Sequence, residues 1–201
     1  KLLLPKVIYG FFPCQSEKNS LLVYQPDAWE KEGRKVLWQQ FDFPRGGQKR
    51  LCLADFFAST ESGKMDVLGM QIVTVGREAS GYSQKLFETN NYSDYLYFHG
   101  FSVEMAEALA EYWHKRLREE WGIAGQDATE IKKLFAQGYQ GSRYSPGYPA
   151  CPNLEDQTQI FAILEPQRIG IELSEEFMLE PEQSTSALVV HHPEARYFDV
   201  R

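Results

Sequence analysis

Cysteine is scarce in this chain. Cys14, Cys52 and Cys151 are the three present, an odd number without CxxC spacing. That excludes a paired disulfide framework and a zinc clip, and it points to a cytoplasmic setting. Long apolar runs are missing too: nothing approaches the roughly 20 residues needed to cross a bilayer, and the stretch from Lys1 to Lys6 is too short for the core of a secretory signal. No membrane partner is expected. Positive charge is in deficit, with 28 acidic residues against 21 basic ones and a net charge of −7, a poor match for nucleic-acid phosphates or anionic lipid. Repeats and compositionally biased linkers are absent, so a single domain over residues 1–201 is expected. What is present suffices for a core: 43% of the residues are hydrophobic and 14% aromatic, in a chain long enough to hide about 70% of its unfolded surface. The first residue is lysine, which suggests a piece of a longer protein.

Short β-branched or aromatic runs at Val7–Tyr9, Leu21–Tyr24 and Val36–Trp38 are separated by Pro13, Asn19, Gly33 and Pro44–Gly47. They read as near-neighbour antiparallel strands. Val67 to Val75 is apolar on both faces and reads as a buried strand in the middle of a sheet. A long helix is expected from Ser102 as cap, with Val103, Met105, Leu109, Tyr112, Trp113 and Leu117 near a 3.6-residue period, closing at Gly122. A second is expected from Asp127, in a capping-box pattern with Glu130, to Gly138. An interrupted helix falls within 78–98 and another through Leu154 to Leu164; strand candidates follow at Ile169–Leu173, Ala187–His192 and Tyr197–Val200. Helices in mid-chain between strand-rich ends imply an α+β fold, a curved antiparallel sheet with the helices packed on it.

The most unusual segment is Arg143-Tyr-Ser-Pro-Gly-Tyr-Pro-Ala-Cys-Pro152. Pro146, Pro149 and Pro152 each fix a φ angle, and Pro146–Gly147 suits the centre of a type II turn. A stiff loop of this kind loses little entropy when a ligand arrives, so its amides, with Arg143, Tyr144 and Tyr148, form a candidate site for a carboxylate and an aromatic ring. An irregular surface connection whose tyrosines cover the core is the other reading of the same composition.

The string RYSPGYPACP resembles the signature of the activation, or reactivation, domain of cobalamin-dependent methionine synthases. Further landmarks agree in order: Gly10-Phe-Phe-Pro13, Leu51-Cys-Leu-Ala-Asp-Phe56, Ser62-Gly-Lys64, Ala106-Glu-Ala-Leu-Ala-Glu-Tyr112, Gly138-Tyr-Gln-Gly141, His192-Pro193 and Tyr197-Phe198. The resemblance implies a module that binds S-adenosylmethionine in a shallow groove. It implies a role in restoring methylcobalamin from cob(II)alamin, with an electron from a flavodoxin-like donor and the cobalamin carried on a separate domain. Carried over by position, the site residues are Arg143 for the methionine carboxylate, Glu107 for the ammonium or sulfonium, and Tyr197 and Phe198 as faces for adenine or the cation. Backbone groups of Tyr144, Ser145, Gly147 and Tyr148 are placed to read the adenine edge. No acid, base or metal is implied, since a sulfonium is already a good leaving group. The family's upstream helical segment, which supplies a ligand aspartate, and its C-terminal extension have no counterpart here; Asp55 is read as a capping or turn residue. A docking module that has lost the ligand and only contacts a cobalamin domain and a flavoprotein is the alternative. Docking to an acidic flavodoxin would need a basic patch, with Arg45, Lys49 and Arg50 or Lys115, Arg116 and Arg118 as candidates.

Other signals have blander readings. Glu111 and His114 stand at the spacing of carboxylate-bridged di-iron bundles, but only one such pair exists, so a solvated helix face is expected. His191 and His192 alternate sides and fit a strand end. Gly138 to Gly141 matches a GxxG nucleic-acid clamp, yet it lacks surrounding lysines. Cys151 is a weak nucleophile candidate with no histidine near it in sequence.

Overall fold

A computed structural model describes residues 1–200 of the chain. In order they form β1 (Lys6–Glu17), β2 (Ser20–Tyr24), α1 (Pro26–Glu32), β3 (Leu37–Asp42), β4 (Asp66–Thr74), α2 (Arg77–Glu88) and α3 (Tyr92–Glu120). Then come α4 (Ile131–Phe135), β5 (Ser142–Tyr144), α5 (Gln157–Leu164), β6 (Glu172–Leu173), β7 (Leu179–Glu180) and β8 (Ser184–Val190). Six strands make one sheet in the order β3-β2-β1-β4-β8-β5, every pairing antiparallel, while β6 and β7 form a separate ribbon. The expected α+β class is what the strands and helices build. No helix among the described residues is long and apolar enough to cross a membrane.

Alternation along the strands decides which layer each side chain joins. In register, Ile8 opposes Ile72 and Phe12 opposes Leu68, while Met70 opposes Leu188; these join Ile160, Ile163 and Leu164 of α5 in the main core. The residues between them face the other way. Tyr9 meets Trp113, Phe11 meets Trp121, and the Gln71 amide donates to the Ala110 carbonyl at 3.0 Å, so α3 covers that face. β4 is therefore buried on both sides, as its sequence indicated. Asp66, at the start of β4, accepts from the Ala58 and Val67 amides and lies 2.7 Å from His191 Nε2, and those contacts hold its carboxyl below the usual range despite burial. His191 does sit just past a strand end, beyond β8.

Several expectations are corrected. The long helix starts at Tyr92, ten residues before Ser102, whose buried hydroxyl donates to the His99 carbonyl inside the helix and caps nothing. Asp127 begins no helix; its carboxylate is drawn to the buried Arg118 at 2.8 Å, and α4 is confined to Ile131–Phe135. Pro13 lies inside β1 opposite Val67, at the point where pairing with β2 is about to begin at Cys14. Ile169 ends a 3-10 turn, so only Glu172–Leu173 is extended there. Tyr197–Val200 is not a strand; it crosses the Gly46–Gly47 turn, where the Gly47 amide donates to the Val200 carbonyl at 3.2 Å.

Candidate functional site

The site is built on β5 at the sheet edge and the turn that follows it. Arg143 is paired with Val189 and Tyr144 with Leu188, so alternation sends the arginine to the α3 side and the tyrosine into the core. Tyr144 is 2% exposed, stacks near Phe56 and donates its hydroxyl to the Arg196 carbonyl at 2.8 Å; burial raises its pKa. The chain then turns. The Tyr148 amide donates to the Ser145 carbonyl at 3.2 Å with Gly147 at φ +91°, the geometry of the type II turn expected for Pro146–Gly147. A second bond, Gly147 amide to Cys151 carbonyl at 2.9 Å, and the return bond from Cys151 to Tyr148 at 3.0 Å lock the bend. Gly141, just before β5, has φ +88°, and a side chain there would strike the Val190 carbonyl oxygen, so only glycine suits the entry to the strand.

Cys151 sits in a setting that disfavours a thiolate. It is 1% exposed, lies 2.9 Å from the Ser145 carbonyl oxygen and has a thiol pushed up to about 12, first by burial. Nearby Asp156 is 3% exposed, has one oxygen bonded to Asn153 and the other unpartnered, and is pushed up to about 6, again chiefly by burial. A raised carboxyl pKa means the native state holds the proton more tightly than the unfolded chain. Stability from this group is therefore present in acid and is lost as pH rises from about 4 through about 6. Asp156→Asn should keep the Asn153 bond, remove the buried charge and gain about 1–2 kcal/mol at pH 7, with a flatter stability profile between pH 4 and 6. Urea unfolding at both pH values checks this; an unchanged profile contradicts it.

Two clefts meet at the bend. One, of about 340 Å³, is lined by Glu107, Tyr139, Arg143, Tyr148 and Tyr197 together with Phe135, Gln137 and the 144–145 segment. The other, of about 550 Å³, shares Glu107, Ser145 and Tyr148 and continues to Pro146, Gln157 and the β7–β8 turn. Together they form an open trough beside α3. Arg143 donates from Nη2 to Glu111 at 2.9 Å, with side-chain exposures of 22% and 37%, so the pair is wetted and the guanidinium still borders the cleft. Its Nε and Nη1 groups have no hydrogen-bond partner among the described residues.

Of the sequence-derived residues, Glu107, Arg143, Tyr144, Ser145, Tyr148 and Tyr197 come together around the first cleft. Gly147 shapes the turn without lining it. Phe198 lines neither cleft: its partly buried ring packs on Phe56 and Tyr144 at the edge of the core, while Tyr197 is 60% exposed. The solvated-face reading of Glu111 and His114 is corrected as well, since His114 is completely buried against Tyr139 and burial, with Arg118 second, keeps its pKa well below the ordinary value. The basic-patch candidates are also reduced: Arg45 grips Asp55 through two bonds of 2.7 and 2.6 Å, Arg118 is buried, and Lys115 and Arg116 both face Glu119. Asp55 accepts from the Cys52 amide in a capping box, the local role its sequence position allows. Tyr139 and Glu111 escaped the sequence reading as site residues. Glu111 was within reach of it, lying one helical turn beyond Glu107 on α3.

A stiff turn carrying an arginine and rings lies at the mouth of a cleft, on the edge of an antiparallel α+β sheet, a composition suited to a small-molecule ligand. The family model described as vitamin B12 dependent methionine synthase, activation domain, matches residues 1–201, and the chain belongs to that family. It is 46% identical to methionine synthase of Mycobacterium tuberculosis and 44% identical to that of Mycobacterium leprae, each over 96% of this chain. It spans 17% of the length of these curated relatives. Among solved structures, a crystal structure of the MetH reactivation domain bound to AdoHcy superposes with a TM-score of 0.90 at 30% identity, over 99% of this chain and 62% of that one.

Proposed function

We propose that the chain binds S-adenosylmethionine in the cleft beside the 143–148 turn and acts as the reactivation module of a cobalamin-dependent methionine synthase. The observation that carries this is Arg143, held at the cleft by β5 with Nε and Nη1 unpartnered among the described residues and free for a carboxylate. The relative solved with AdoHcy, the demethylated form of the same ligand, supports the choice. Arg143 grips the amino-acid carboxylate, Glu107 faces the cationic end, and the exposed rings of Tyr148 and Tyr197 flank the nucleoside against the backbone of Tyr144, Ser145 and Gly147. Phe198 supports Tyr144 from behind.

When bound, S-adenosylmethionine supplies a methyl group on a leaving group that needs no proton, so the residues here have only to bind, orient and exclude water. Acceptance of that methyl group belongs to a cobalamin domain. An electron comes from a flavodoxin-like donor, for whose docking Lys49 and Arg50 remain exposed beside the ion-paired Arg45. The module alone turns over no substrate. Thermal melts with increasing S-adenosylmethionine test the binding step: stabilisation should grow with concentration, reaching about 2.7 kcal/mol at a hundred times Kd. No shift at millimolar ligand would overturn it and leave the docking-module alternative.

A further inference from the structure

Beneath the cleft lies a buried polar stack that ligand contact alone does not require. Arg118 on α3 is 1% exposed and donates to both oxygens of Asp127, from Nη2 at 2.8 Å and from Nε at 3.2 and 3.4 Å. Its guanidinium carbon sits 3.9 Å from the centre of the Tyr139 ring. His114 meets the same ring at 5.3 Å, nearly perpendicular, with neither ring nitrogen partnered among the described residues. Tyr139 thus packs against both a cation and an imidazole. It also lines the cleft, and its phenol is raised first by burial and then by the Glu111 carboxylate. Glu111 in turn takes one N–H of Arg143 at 2.9 Å.

We infer that Glu111 is a positioning residue for Arg143, held one N–H away from it on α3. The inference rests on the proposed S-adenosylmethionine site. An arginine side chain has several rotatable bonds, and fixing it before the ligand arrives removes an ordering cost that binding would otherwise bear. Guanidinium carries five N–H groups, so donating one to Glu111 leaves an edge with two parallel donors for a carboxylate. A free arginine would supply the same charge without the direction. Like charge on Glu111 and the ligand carboxylate opposes this gain, so the sign of the Glu111→Gln effect decides between holding and competing.

The test compares S-adenosylmethionine with its decarboxylated analogue, titrated by calorimetry into the 201-residue chain and its variant. Glu111→Gln should weaken S-adenosylmethionine binding about five- to twentyfold while leaving the decarboxylated analogue within about twofold. A melting temperature close to the parent's shows that the variant folds. Equal losses for the two ligands mean a merely structural role and overturn the inference, and tighter binding by Glu111→Gln overturns it in favour of competition for Arg143. A parent chain that binds neither ligand overturns the binding site itself, an outcome distinct from a parent that binds while Glu111→Gln matches it.

Discussion

Arg143→Ala is expected to weaken S-adenosylmethionine binding by about 1.5–3 kcal/mol, roughly 10–150-fold, the scale of a hydrogen-bond partner to a charged group. The loss follows from position. β5 pairing with β8 fixes the Arg143 backbone, and strand alternation points its side chain to the α3 side rather than into the core. Arg143→Lys should recover only part of the loss, because an ammonium is a point charge and cannot present two parallel donors. Calorimetry on the parent and both variants measures this, and unchanged affinity in Arg143→Ala would remove Arg143 from the site. The fold should be indifferent, since the Glu111 pair is partly exposed and such pairs contribute little to stability.

The largest expected effect on stability is at Asp127. Arg118 and Asp127 have side-chain exposures of 2% and 9%, and Arg118 Nη1 has no hydrogen-bond partner. Removing the carboxylate leaves a buried guanidinium uncompensated, which typically costs 3–5 kcal/mol, about the size of the whole margin of many domains. Asp127→Ala should therefore unfold at much lower urea. Replacing Arg118 with Met as well should restore part of the loss, because the second change removes the stranded charge. A loss below about 1 kcal/mol in the single variant contradicts this account of the pair.

The sheet was legible because its strands bury one or both faces, and that burial writes itself into β-branched and aromatic runs such as 21–24 and 67–75. Boundaries were less so. Ser102 has the chemistry of a cap but lies in the interior of α3, because helix continues through Gly100 once Phe98 and Ala106 pack against Val75 and Ala79. Asp127 and Glu130 spell a capping box, yet a buried arginine nine residues back claims the aspartate, a contact no local pattern encodes. The turn at 145–148 was readable since proline and glycine fix φ locally. What surrounds it was readable only in part: Arg143 and Tyr148 announce themselves, whereas Tyr139 and Glu111 join the cleft through the packing of α3 against the segment leading into β5. Phe198 and Tyr197 show the same limit at the level of one residue, since the pair was visible and its division between core and solvent was not.

A crystal structure of the chain soaked with S-adenosylmethionine shows where the ligand lies. The ligand's carboxylate should lie within hydrogen-bonding distance of the Arg143 guanidinium, with its adenosine against the bend from Tyr144 to Tyr148. Density for the ligand anywhere else, or an Arg143 still bonded only to Glu111 in a saturated crystal, would contradict it.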